Sequence, residues 1–175
     1  ALDAGVRSLL VPRVETAAEV RRAVAAAHFS YDGSVGERGV GAVRANGWDA
    51  GEDGYAAAED ASVLVGAMVE TRAAVENVER ILDVPELGFV FVGPADLSQS
   101  LGHGGEPGHP DVRAAVDRVL EAAAGAGVPV GGIPADPSDA RERVDAGFRM
   151  LLVGSETGAA RSVLGDWLDE WREGR

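Results

Sequence analysis

The sequence predicts an α/β fold of the (β/α)8 TIM-barrel type, with about five βα units present and the first strands lacking. Two observations carry this expectation. Short β-branched and leucine-rich runs alternate with longer amphipathic ones, the pattern of a parallel sheet covered on both faces. In addition, one helix-to-strand joint occurs twice: residues 3–11 read DAGVRSLLV and residues 145–153 read DAGFRMLLV. In each copy a helix ends at a glycine, Gly5 or Gly147, and a buried strand follows at once. Equivalent units reused in this way suit a barrel.

Taken in order, the chain opens on ALDAG, read as the last turn of a helix, and the first strand follows over 7–11. A helix over 16–27 begins at a capping box made by Thr16 and Glu19. From 28 to 60 the pattern lapses into glycine-rich polar sequence. It includes GERGVG at 36–41, whose glycine spacing is not that of a dinucleotide-binding fingerprint. A loop this long is expected to be functional or disordered and, in a barrel, to follow a strand on the catalytic face. A strand over 63–69 precedes a helix over 71–82, in which Val75, Val78, Ile81 and Leu82 recur at helical spacing. Strands over 88–92, 128–133 and 149–153 then alternate with helices over 111–125, 137–146 and 157–172. Five strands fall short of the eight strands and ~250 residues of a full barrel. Residues 1–175 are therefore expected to form the C-terminal part of a single barrel domain.

Composition narrows the chemistry. The chain is 46% hydrophobic, enough apolar material for a core. It has no run long enough to span a bilayer and no basic-then-apolar leader, and so reads as soluble and cytoplasmic. The net charge of −13 argues against nucleic acid and anionic membrane surfaces as partners. The absence of cysteine excludes disulfides, thiolate metal sites and cysteine nucleophiles. All 16 basic residues are arginine, which excludes a Schiff-base lysine and a P-loop lysine. Carboxylates, three histidines, arginines, hydroxyls or a bound metal remain.

Two consecutive strands end in a carboxylate followed by a helix: VLVGAMVET at Glu70, and FVFVGPAD at Asp96. Neighbouring strands of a parallel barrel place both groups on the same C-terminal rim. Two carboxylates that close repel each other unless a cation sits between them, and a hard divalent ion such as Mg2+ or Mn2+ takes such oxygen ligands. Either residue alone reads as well as an acid favoured at a helix start. Gly93 lets a ligand approach the backbone, and the amides of Ala95 and Asp96 suit an anion.

FVGPADLSQSLG, the upstream MVET, GERGVG and GHGGEPGHPDV resemble, in order and rough spacing, the HpcH/HpaI aldolases. These are class II metal-dependent pyruvate aldolases related to the citrate lyase beta subunit, and the likeness runs over nearly the whole chain. The resemblance implies a barrel, usually hexameric, that binds Mg2+, Mn2+ or Co2+ through positions matching Glu70 and Asp96. It implies substrate binding at Gly93, Pro94, Ala95 and Asp96. The implied reaction makes or cleaves a carbon–carbon bond in 4-hydroxy-2-oxo acids, through a pyruvate enolate and an aldehyde partner. The catalytic histidine and pyruvate-binding arginine of the family match no residue of this sequence, so no catalytic residue is assigned. Met68 stands where many members have glutamine.

The remaining candidates are more modest. His28 is expected at a helix end and His109, before Pro110, as a loop-shaping residue; His103 lies in the same loop. Arg38 is expected to brace its loop or an interface. Trp167 and Trp171, four apart on the last helix, suggest packing, and the resemblance implies packing against a neighbouring subunit. Two alternatives stay open: a non-catalytic metal- and ligand-binding remnant of the family, and a citrate lyase-like enzyme cleaving a CoA thioester. The acidic, lysine-free sequence disfavours the second.

Overall fold

A computed structural model describes residues 1–33, 36–49 and 53–174. Residues 34–35 and 50–52 of the long glycine-rich segment, and residue 175, lie outside the described residues. Strand β1 (Ser8–Val11) leads to α1 (Ala17–Ala27) and then to α2 (Tyr55–Asp60) and β2 (Leu64–Val69). Two short helices, α3 (Arg72–Glu76) and α4 (Val78–Leu82), precede β3 (Leu87–Val92) and α5 (Pro94–Ser100). The chain continues through α6 (Pro110–Ala126), β4 (Val130–Gly132), α7 (Pro137–Ala146), β5 (Met150–Leu151) and α8 (Glu156–Glu173).

Local chemistry sets many of these boundaries. Thr16 and Glu19 form the expected capping box on α1, each satisfying a backbone N–H of the other. Helix α7 starts with Asp136 accepting from the N–H groups of Ser138 and Asp139, has Pro137 in its first turn, and stops at Gly147 with φ +114°. At the repeat's first copy, Gly5 (φ +93°) closes a short 3-10 turn over Leu2–Ala4.

All five strands are parallel and hydrogen-bonded in the order β1-β2-β3-β4-β5. A doubly wound sheet reverses its order partway; a sheet that adds each strand beside the last one is the arrangement of a (β/α) barrel, as expected. Among the described residues, the outer edges of β1 and β5 have no strand partner.

The two faces of β3 have different work. Val90 and Val92 are buried in one cluster with Val78, Ile81 and Leu82 of α4 and Val112, Val119 and Ala123 of α6. Full burial of each valine, leucine or isoleucine among them stabilises by about 1.5–3 kcal/mol. Phe89 and Phe91 alternate onto the opposite face. There the Phe89 ring covers Gly66 of β2 and the Phe91 ring covers Gly131 of β4, so closely that a methyl group on either glycine would strike the ring. Large side chains over small ones fill the inner side of the sheet.

Several expectations need correction. The helix over 71–82 is two helices separated at Asn77 (φ −101°, ψ 9°), whose amide donates to the Glu15 carbonyl at 2.9 Å. Helix α2 was not anticipated, and the helix expected after Asp96 begins two residues before it, at Pro94. The last strand is two residues long, and Leu152 and Val153 beyond it are exposed. The long segment does not follow a strand on the catalytic face: it follows α1. Its described part folds against the opposite, N-terminal rim. Glu37 and Arg38 donate their N–H groups to the carbonyls of Ala25 and His28 at 2.7 and 3.0 Å. The Arg38 guanidinium lies 4.5 Å over the Phe29 ring, beside buried Glu59 and beside Asp3, which precedes β1. Arg38 braces the loop, as expected of it.

Candidate functional site

Glu70 directly follows β2, and Thr71 after it caps α3 by accepting from the Ala74 N–H at 3.1 Å. The cap fixes where the strand ends and leaves the Glu70 carboxylate on the C-terminal rim. Glu70 is only 4% exposed. The Arg13 N–H, from the loop after β1, donates to its Oε1 at 2.7 Å. Its Oε2 faces Gly93 at the end of β3: a Cβ built on Gly93 would lie 2.9 Å from that oxygen and 3.0 Å from the Glu70 Cβ. Glycine is what allows Glu70 to lie against the neighbouring strand end.

Pro94 opens α5, where its missing N–H costs nothing. Ala95 and Asp96 follow in the first turn, whose amides have no acceptor within the helix. Asp96 is exposed and lies in the first turn of α5, where the helix dipole also favours an acid. Glu70, Gly93, Pro94, Ala95 and Asp96 all line one cavity of about 610 Å3. The other walls are Met68 and Phe91 from the strands, Pro107, Gly108 and Arg113 from the loop and helix after α5, and Ile133, Pro134, Ala135 and Arg143 beyond β4. A second cavity of about 530 Å3, lined by Val128, Pro129 and Gly147 among others, lies where β4 and β5 begin. Active sites of barrels lie at the other rim, where the carboxylate pair is.

The donor set fits a hard divalent cation. Both groups are carboxylates, no arginine or histidine forms an ion pair with either among the described residues, and Glu70 is nearly sealed from water. A buried carboxylate without a cationic partner is costly, and an ion shared with Asp96 would offset that cost.

Arg13, Arg113 and Arg143 escaped the sequence reading. Arg13 acts through its backbone N–H, which has no side-chain signature. Arg113 donates to the Gly108 carbonyl at 2.5 Å. Arg143 pairs with Asp139 at 2.9 Å and lies over the Phe148 ring. Both arginines stand within stretches that read as ordinary amphipathic helix. His28 ends α1 with its Nδ1 2.8 Å from the Val24 carbonyl, away from the cavity. His109 caps α6 by accepting from the Asp111 N–H at 3.2 Å, the loop-shaping role expected. Trp167 and Trp171 on α8 are 65% and 57% exposed.

The sequence profile of the HpcH/HpaI aldolase/citrate lyase family matches residues 1–162. A hydroxypyruvate/pyruvate aldolase of Paraburkholderia phytofirmans is 40% identical over 157 residues, covering 89% of this chain and 60% of the relative. A 2-keto-3-deoxy-L-rhamnonate aldolase of Klebsiella pneumoniae is 40% identical over 158 residues, covering 89% of this chain and 58% of the relative. The crystal structure of an HpcH/HpaI aldolase/citrate lyase family protein from Burkholderia cenocepacia superposes with a TM-score of 0.90 at 40% identity. That match covers 98% of this chain and 67% of the other. The chain thus spans about three fifths of the length of the curated relatives it matches.

Proposed function

Because the chain belongs to the HpcH/HpaI aldolase/citrate lyase family, we propose that it provides the metal- and oxo-acid-binding part of a class II pyruvate aldolase. The observation that carries this reading is that buried Glu70, lying against Gly93, and Asp96 line one cavity at the C-terminal rim. Glu70 and Asp96 would hold Mg2+ or Mn2+, with Co2+ as a further occupant. When bound, the ion supplies Lewis-acid stabilisation of a pyruvate enolate. The chain's own residues do the rest. The Arg13 N–H fixes one Glu70 oxygen, so that the other presents to the cavity. The Ala95 and Asp96 amides, at the positive end of α5, receive the carboxylate of a 2-oxo acid. Phe91 and Met68 give the cavity an apolar floor that suits the methyl end of pyruvate. Met68 offers no strong hydrogen-bond donor, so orientation of the keto group falls to the amides and the ion.

The substrate class in this proposal is a 4-hydroxy-2-oxo acid, cleaved to pyruvate and an aldehyde. Self-association belongs to the same proposal: no residue of α8 is buried, and Val163, Leu164, Trp167, Leu168 and Trp171 are 49–65% exposed. We assign this stripe to contact with a second copy of the chain.

Pyruvate methyl-proton relaxation in the presence of Mn2+ tests the binding step. The chain should enhance relaxation, and Asp96→Asn should abolish the enhancement. Parallel assay of pyruvate release from a 4-hydroxy-2-oxo acid tests the reaction. Binding that persists after chelation, or that is unchanged in Asp96→Asn, would remove the basis of the proposal.

A further inference from the structure

Two of the chain's three histidines stand together where α6 begins, apart from the carboxylate pair. The His103 and His109 rings are stacked, with centroids 3.5 Å apart and planes inclined by 13°. His103 Nε2 lies 2.8 Å from Asp111 Oδ2, and His109 Nδ1 lies 3.8 Å from the same oxygen. One potential ligand atom from each of the three residues lies within 4.8 Å of the other two. The loop is shaped to do this. Gly102 and Gly105, at φ +91° and +85°, turn it back, and the His103 N–H donates to the Ser98 carbonyl at 2.8 Å.

We propose that His103, His109 and Asp111 form a second cation site, taking a borderline transition ion such as Zn2+ in preference to Mg2+. The chemistry of the donors sets the preference. Imidazole suits Zn2+, Cu2+ and Ni2+, whereas Mg2+ requires oxygen ligands and gives up its waters reluctantly. With Zn–N distances of about 2.0–2.1 Å, two donors on a tetrahedral ion are about 3.3 Å apart. The 2.8 and 3.8 Å nitrogen–oxygen separations found here bracket that value. Ligation also requires the stacked rings to turn out of parallel, so that a lone pair of each meets the ion. His109 Nδ1 releases the Asp111 N–H if that nitrogen ligates. The carboxylate of Asp111 offsets the unfavourable field that the start of α6 presents to a cation. Side chains that are 26%, 29% and 64% exposed leave room for water to complete the coordination.

This site is distinct from the proposed catalytic one. None of its three residues lines the cavity of Glu70 and Asp96, but Pro107 and Gly108 of the same loop do. An ion joining His103 to the first turn of α6 therefore fastens the loop that makes one wall of that cavity, without touching substrate.

The test is calorimetric titration of the chain with Zn2+ in a Glu70→Gln/Asp96→Asn background, which silences the carboxylate pair. One equivalent should bind, and His103→Ala should weaken it tenfold or more. His109→Asn, which keeps a capping acceptor for α6 but removes the imidazole, should do the same. Unchanged affinity in both variants overturns the proposal. So does an equivalent that vanishes in the Glu70→Gln/Asp96→Asn background yet persists in His103→Ala alone. Electron paramagnetic resonance of Cu2+ bound to that background chain supplies a readout that needs no histidine variant to fold. Coupling to two imidazole nitrogens is expected, and coupling to one or none contradicts the site. The outcome is independent of whether Glu70 and Asp96 bind Mn2+.

Discussion

The backbone N–H of Arg13 donates a 2.7 Å hydrogen bond to Oε1 of Glu70, joining the turn after β1 to the tip of β2. One carboxylate oxygen is thereby held, and the other is left against Gly93. Three successive strand ends thus define the position of a single buried carboxylate, and its coordination chemistry depends on all three.

Gly93 is the most sensitive of them. A methyl group there would stand 2.9 Å from Glu70 Oε2 and 3.0 Å from its Cβ, so Gly93→Ala must displace the carboxylate. Altering groups that orient a ligand typically costs 10–100-fold in metal affinity. Gly93→Ala should lower Mn2+ affinity by that order while the thermal melt shows a folded chain. Equal Mn2+ dissociation constants for the two proteins would show that Glu70 is not held where it must be.

Acid should loosen the cavity wall formed by the start of α7. The Asp139 carboxylate accepts from the Ala135 N–H at 2.7 Å and from Arg143 at 2.9 Å, and in that order these partners hold its pKa below the usual value of 3.8. A depressed folded-state pKa contributes stability that is fully present above about 3.8 and is lost as pH falls through the folded value. Asp139→Asn should therefore be less stable at neutral pH and show a flatter loss of stability below that pH. Circular dichroism during acid titration reads both, and parallel acid limbs for the two proteins would contradict the assignment.

Self-association should follow from the exposed stripe on α8 and from the sheet edges of β1 and β5, which have no strand partner among the described residues. Sedimentation velocity is expected to show an oligomer that Leu164→Glu with Trp167→Glu reduces in size. A stable monomer at micromolar concentration would mean that these apolar residues serve no contact between copies.

Much of this site was legible because its elements are local in sequence. The strand-end motifs around Glu70 and Asp96 each occupy fewer than ten residues, and the duplicated DAG joint named the barrel unit that places them side by side. What was not legible depends on contacts between distant residues. The Arg13 N–H reaches Glu70 across 57 positions and leaves no trace in residue type. The break at Asn77 answers to the Glu15 carbonyl, not to helix propensity, since apolar spacing runs unbroken through 75–82. The long segment was misplaced because composition says that a loop exists but not which rim it covers; the bonds of Glu37 and Arg38 to the end of α1 decide that. The His103–His109 stack likewise comes from glycine turns that bring positions six apart face to face.

Calorimetric titration with Mn2+ tests the shared carboxylate site most directly, because imidazole groups compete poorly with carboxylates for that ion. The unmodified chain should bind one equivalent, and Glu70→Gln and Asp96→Asn should each weaken it tenfold or more. Equal affinity in all three proteins would contradict a metal held by Glu70 and Asp96.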